Sequence, residues 1–323
     1  MDVCIVAEGE WPAKTGGLST WTNHVLGALR ELEVGVVTVP SSSDLRYAVP
    51  SHVVVHRGFA GPLPRAKRYL ASGLEAAEFV AAQAPAAQLV YVEHGDLVRE
   101  VRSLGATEGG VYVPPFARDR AARDAADRRR RMVRHASMVV GVTRRTCRRA
   151  LREGARAVCH VPNAVPPSLR AQRSKAIGFV GRCTRGKGID RFLRLAERVD
   201  LPAMVTGLDL EASARLRPAR VRWNLDAVDP WADCPGVIVM PSRLEASPFV
   251  ALEAEARGIP VLLSDVADLD ESALIQRRAW SLQGWAADAM RLALCPDVGS
   301  GAAHERWHRF ETQWRGIAGG RQA

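Results

Sequence analysis

At 323 residues the chain exceeds one ordinary core and suits two α/β domains of roughly 150 residues each. A hydrophobic share of 47% is globular, and no window approaches the roughly 18 uninterrupted apolar residues of a bilayer span, so a soluble protein is expected. The net charge of +10 rests on arginine, since lysine occurs only at 14, 67, 175 and 187; it favours polyanions and nucleotide diphosphates without choosing among them. The start, Met1-Asp2-Val3-Cys4-Ile5-Val6, has no basic segment before a short apolar run, which reads as cytoplasmic. Cysteines at 4, 147, 159, 183, 234 and 295 form no Cys-x-x-Cys and have no His at metal spacing, so neither disulfides nor a zinc site are expected.

In chain order, short β-branched runs alternate with Ala/Arg/Leu-rich stretches, the pattern of parallel strands joined by crossover helices. Strands are expected near 2–7, 34–39, 52–56, 88–92, 111–113, 137–142 and 157–161, and helices over 18–31, 64–83, 118–134 and 143–153. Val161-Pro162-Asn163-Ala164-Val165-Pro166-Pro167 then ends regular structure and reads as a linker. This divides the chain into domains 1–168 and 169–323. The alternation restarts with a strand at 176–181, a helix at 188–199, and strands near 203–206, 220–223, 236–240 and 260–263. A last helix, about 302–317, carries Trp307, Phe310 and Trp314 on one face, to be buried on its own domain or back on the first.

The strongest chemical signal follows the strand ending at Met240. After Pro241-Ser242, a helix is expected to begin near Ser247-Pro248, with Ser247 as N-cap and Pro248 in the first turn. Strand ends of an open α/β sheet face the ligand crevice, and the free amides of Ser247, Pro248, Phe249 and Val250 would suit a diphosphate there, proline excepted as a donor. Glu245 precedes this helix and Glu253 lies two turns in, so one ligand could meet both, a sugar at one and a ribose diol at the other. The same spacing also fits a loop charge and a solvated helix residue. In Gly181-Arg182-Cys183-Thr184-Arg185-Gly186-Lys187-Gly188, a strand, a Gly-rich turn and a helix follow in the order used for phosphate, though without a dinucleotide fingerprint or P-loop. Arg182 would fork onto phosphate oxygens and Lys187 would supply a point charge; incidental basic residues in a turn are the alternative. Gly16-Gly17 would let backbone approach a ligand. His94 follows a strand end, where a lone histidine is more often structural.

Four stretches in order, Gly16-Gly17-x-Ser19-Thr20, Val161-Pro162-Asn163, Gly181-Arg182 to Lys187-Gly188 and Glu245-x7-Glu253, resemble retaining glycosyltransferases of family four. The resemblance implies the GT-B fold, two doubly wound parallel-sheet, Rossmann-like domains facing a cleft. Ala7-Glu8-Gly9, Gly17-Leu18-Ser19-Thr20-Trp21 and Pro248 are most similar to the branch of Pel exopolysaccharide glycosyltransferases. Carried over, the family implies Arg182 and Lys187 on the donor pyrophosphate, Glu253 on the ribose hydroxyls and Glu245 facing the donor sugar. Backbone at 247–250 would assist, His94 would contact the sugar's far hydroxyl or the reacting centre, and Gly16 and Gly17 would line the phosphate or acceptor side. Val250 stands where the family usually has glycine, and Ala267-Asp268 replaces the glycines before Glu271.

The implied activity is transfer of a hexosyl group, from UDP-glucose foremost, to a hydroxyl acceptor with retention. It needs no cofactor beyond the nucleotide sugar and no metal, with Glu245 positioning the sugar, not attacking it. The acceptor reads as a glycan or lipid-linked glycan, with modified DNA bases or protein as alternatives; an epimerase on the same fold and a non-catalytic nucleotide-sugar-binding protein are further alternatives. The Arg-rich stretch 118–152, including Arg128-Arg129-Arg130-Arg131, reads as a solvated helix face or as a contact for a membrane or polyanion at the inner leaflet.

Overall fold

The structure is a computed structural model whose described residues are 1–8, 17–38, 48–58, 61–95, 115–207, 220–225, 230–295 and 301–320. They fall into two compact units, one made of the described residues within Met1–Arg102, Phe116–Ala164 and Trp307–Ala323, the other of Pro115 and those within Val165–Arg306.

In the first unit, β1 (Val3–Ala7), β2 (Val34–Thr38), β3 (Val53–Arg57), β4 (Arg68–Ser72), β5 (Gln88–Glu93), β6 (Met138–Gly141) and β7 (Val158–His160) form one sheet in the order β3-β2-β1-β4-β5-β6-β7. Every pairing is parallel. β1 is buried along its whole length, as a central parallel strand covered on both faces must be, with Ile5 in register with Val36 and Leu70. The helices are α1 (Gly17–Ala28), α2 (Leu74–Gln83), α3 (Pro115–His135) and α4 (Arg144–Arg152). Thr143 starts α4 with a reciprocal cap, its Oγ1 accepting from the Thr146 amide at 3.0 Å while Thr146 Oγ1 accepts from the Thr143 amide at 3.3 Å.

The helix expected over 64–83 is two elements, β4 and α2. Tyr69, Leu70 and Ala71 are buried in the sheet, and Gly73, at φ 104, makes a break that an L-residue rarely tolerates. The strand expected near 111–113 lies outside the described residues.

The second unit contains β8 (Ile177–Val180), α5 (Ile189–Ala196), β9 (Ala203–Gly207), β10 (Val221–Leu225), β11 (Val237–Met240), α6 (Phe249–Ala256), β12 (Val261–Ser264), β13 (Ile275–Arg278) and α7 (Leu282–Ala293). Its sheet is again all parallel, in the order β10-β9-β8-β11-β12-β13. Its core gathers Phe179, Phe192, Val239, Leu262 and Trp285. No sequence signal announced β13: it is an edge strand in which Ile275 alone is buried.

α8 (Gly301–Ala318) begins in the second unit, where Arg306 Nε lies 3.3 Å from the buried Glu255. From Trp307 it belongs to the first, where Trp314 meets Trp21 edge-on at 5.4 Å and Arg315 donates to the Ala28 carbonyl at 3.0 Å. None of the six cysteines is joined in a disulfide. Among the described residues no helix is long and apolar enough to cross a membrane.

Candidate active site

In the second sheet β8 has β9 on one side and β11 on the other, so the chain leaves β8 one way and returns the other. The loops after β8 and β11 flank this topological switch point at the carboxyl edge, where open α/β sheets hold ligands. They are also tied to each other. Arg243 forks onto Asp190 with both oxygens at 2.7 Å, its amide donates to the Gly186 carbonyl at 2.9 Å, and Arg191 reaches the Pro241 carbonyl at 3.1 Å. Burial alone would raise the Asp190 carboxyl; the Arg243 hydrogen bonds and charge outweigh it and hold the group below its ordinary value. Gly188, at φ 82, opens α5 so close to the β11 loop that a Cβ would lie 2.3 Å from the Pro241 carbonyl oxygen. Only glycine fits this junction without displacing backbone.

This junction brings Lys187 onto Glu245. Nζ lies 2.6 Å from Oε1, the Glu245 side chain is 7% exposed, and the Ser242 hydroxyl donates to the same oxygen at 3.3 Å. Arg182, on the same loop, is exposed, and its guanidinium has no partner among the described residues. A charged pair, with an exposed guanidinium on the same loop, offers groups able to take an anion and a polyol.

Glu253 is held elsewhere. The indole Nε1 of Trp231 donates to its Oε2 at 3.2 Å, and the Arg257 guanidinium stacks over that indole at 4.8 Å. Burial pushes the Glu253 carboxyl up, while the Arg257 charge and the Trp231 hydrogen bond draw it part of the way back. Ser247 is buried in the turn before α6 but does not cap the helix as expected. The N-cap is Pro248, extended at φ −73 and ψ 122 and without a side-chain cap hydrogen bond, so the helix starts one residue later, at Phe249. Phe249 and Val250 form the first turn.

In the first unit the switch point lies between β1 and β4. Glu8, just past β1, turns its carboxylate onto the start of α2, with Oε1 accepting from the Glu75 amide at 2.5 Å and the Ala76 amide at 3.3 Å. His94, just past β5, has Nε2 2.9 Å from the Ser72 hydroxyl and meets the Trp21 ring edge-on at 4.9 Å. Burial lowers its pKa to about 4, so it is a neutral imidazole at neutral pH. Gly16 lies outside the described residues and Gly17 is the first residue of α1.

His24 is also lowered to about 4 by burial, against the opposing pull of the Ala164 carbonyl. Both histidines stay neutral when folded and take up a proton near 6.5 when unfolded. Their contribution to stability is therefore complete above about pH 6.5 and lost progressively as pH falls towards 4, on the order of 2 kcal/mol for each. Denaturant titrations at about pH 7 and about pH 5 are expected to record this loss, and His94→Asn, which removes one titrating group, is expected to reduce it.

Among the solved structures, sucrose-phosphate synthase (tll1590) from Thermosynechococcus elongatus has a TM-score of 0.70 at 16% identity, covering 98% of this chain and 96% of its own. Anabaena Alr3699/HepE, solved in complex with UDP, has a TM-score of 0.65 at 16% identity, covering 99% of both chains. The fold is GT-B. WaaG, a glycosyltransferase involved in lipopolysaccharide biosynthesis, matches it with a TM-score of 0.62 at 14% identity over 98% of both chains. The two parallel, doubly wound sheets are the Rossmann-like domains of this GT-B fold. Residues 1–69 match a family described as a domain of unknown function (DUF3492), and no curated protein matches the chain.

Sequence reasoning set the loops after β8 and β11 at strand ends of one sheet, as they are in the structure, but gave no role to several residues around the candidate site. Asp190 and Arg243 carry no signal that gives them a role, and Ser72 lies within the helix expected over 64–83. Trp231 follows Asp229-Pro230, with no periodicity or motif to mark it.

Proposed function

We propose that the chain is a retaining glycosyltransferase moving a hexosyl group from a nucleoside diphosphate sugar, UDP-glucose foremost, to a hydroxyl of a glycan or lipid-linked glycan. The observation that carries the reading is the contact of Lys187 with Glu245 at the switch point of the second sheet, on the loop that also holds the exposed Arg182. The HepE complex with UDP, and another with UDP and glucose, support a nucleotide-sugar donor. Membership of family four and the likeness to its Pel branch belong to the same proposal.

In this reading the second unit takes the donor and the first the acceptor, with the boundary near residue 168. Arg182, Lys187 and the amides that open α6 take the pyrophosphate, on which negative charge grows as the glycosidic bond breaks. Glu245 orients the sugar and Glu253 the ribose hydroxyls. The leaving phosphate oxygen accepts the acceptor's proton on the face it departs from, so the anomeric configuration is kept without a covalent enzyme intermediate. Neutral His94 offers a hydrogen bond to the sugar or reacting centre and no charge. Exposed arginines of α3 and α4, including Arg130, Arg131, Arg148 and Arg152, provide a basic face for an anionic, lipid-linked acceptor.

Incubation with UDP-glucose and no acceptor, followed by proton NMR, tests the reading. Slow release of UDP with glucose appearing first as the α-anomer is expected. Conversion of the sugar while it remains on the nucleotide would make the chain an epimerase, and a donor that binds but never turns over when hydroxyl acceptors are added would make it a binding protein.

A further inference from the structure

We propose that Trp231 is a positioning residue for Glu253, fixing the carboxylate that meets the donor's ribose and so setting a preference for ribonucleotides over deoxyribonucleotides. The inference rests on the donor reading above and adds the residue that makes Glu253 competent for it.

Trp231 sits between β10 and β11, 22 residues before its partner, and is 7% exposed. A buried indole has a single polar atom, and this one gives its N–H to Glu253 Oε2 at 3.2 Å. The ring cannot slide away from that contact. Arg257 stacks on its face at 4.8 Å and is itself anchored, its Nη1 donating to the Glu253 carbonyl at 3.0 Å. Helix end, guanidinium, indole and carboxylate thus form a closed circuit around one glutamate.

Oε1 of Glu253 has no partner among the described residues. An ionised carboxylate only accepts hydrogen bonds, so the group suited to it is a donor without negative charge, and a vicinal diol supplies two such donors on adjacent carbons. A phosphate would be repelled. With Oε2 pinned, the plane of the carboxylate is set before the ligand arrives, and ordering it costs the complex nothing further. Without the indole N–H the same carboxylate would be desolvated, free to rotate and more readily protonated, and a protonated Glu253 accepts from a diol poorly.

The test compares binding of UDP and 2′-deoxy-UDP by calorimetry for the wild-type protein, Trp231→Phe, Trp231→His and Glu253→Ala. The wild type is expected to bind UDP about tenfold more tightly than 2′-deoxy-UDP, as for one hydrogen bond to a charged group. Trp231→Phe keeps an aromatic ring for Arg257 and loses only the donor. It is expected to bring the two affinities together by weakening UDP alone. Trp231→His, which retains a ring N–H, is expected to recover part of the ratio, a recovery that packing alone would not give. Glu253→Ala is expected to abolish the ratio. If Trp231→Phe keeps the wild-type ratio while Glu253→Ala loses it, the role of Trp231 is overturned and the donor reading stands. Equal loss in Trp231→Phe and Trp231→His would assign Trp231 to packing and overturn the proposal as well. A Glu253→Ala protein with an unchanged ratio, or a wild type that binds neither nucleotide, would overturn the donor reading itself.

Discussion

Replacing Lys187 by alanine is expected to lower kcat/KM for donor turnover by about 100- to 1,000-fold, the effect of removing one fixed donor from a developing anion. Lys187 stands on a loop stapled to its neighbour by Arg243, with its ammonium already ordered 2.6 Å from Glu245, so no reorganisation is needed when charge appears on the leaving phosphate. Lys187→Arg keeps the charge but spreads it over a planar fork, and is expected to restore part of the rate. Alanine also strands the mostly buried Glu245 carboxylate, which lowers stability independently of catalysis. Adding Glu245→Gln separates the effects: stability is expected to return while turnover does not. A Lys187→Ala protein with full kcat/KM would remove Lys187 from the mechanism.

Replacing Arg129 by alanine is expected to destabilise the first unit by about 3–5 kcal/mol, the cost of leaving a buried carboxylate without its cation. Arg129 is one of four consecutive arginines and is 1% exposed. Its Nη2 donates to Glu93 Oε2 at 2.6 Å, its Nε reaches the other Glu93 oxygen, and its Nη1 pairs with Glu153. Burial pushes the Glu93 carboxyl up against the pull of Arg129, so removing the arginine leaves that burial cost less opposed. A melting temperature lower by on the order of 10 °C is the expected reading, against a change within error for the exposed Arg130→Ala. The double substitution Arg129→Met with Glu93→Gln is expected to recover much of the loss, since the buried pair is removed and Glu153 keeps Arg149 as its partner.

The same arginine marks the limit of what sequence could tell. A run of four arginines reads as a solvated face because burial of a guanidinium depends on carboxylates 24 and 36 positions away. Apolar strands were legible because a parallel strand covered on both faces must be continuously apolar, as β1 and β11 are. β4 was not, because its five residues run through one glycine into the Ala-rich α2, and the break is a backbone angle, not a composition. The nearness of Lys187 to Glu245 followed from placing both at strand ends of one sheet. Trp231 and the Arg243–Asp190 fork did not follow, since each is a single long-range contact whose partners carry no pattern. Ser247 suits a cap and a proline suits the first helical turn, but Pro248 is extended and the helix starts one residue later, which no residue type in the stretch announces.

The most direct measurement is the melting temperature of the wild-type, Lys187→Ala and Glu253→Ala proteins with UDP, ADP, GDP and their glucose conjugates. A donor site in the second unit predicts that one nucleotide series raises the wild-type melting temperature by about 5 °C or more at a hundredfold excess over Kd, and that both substitutions reduce the rise. A flat response of the wild type to every nucleotide, or an equal rise in all three proteins, would contradict it.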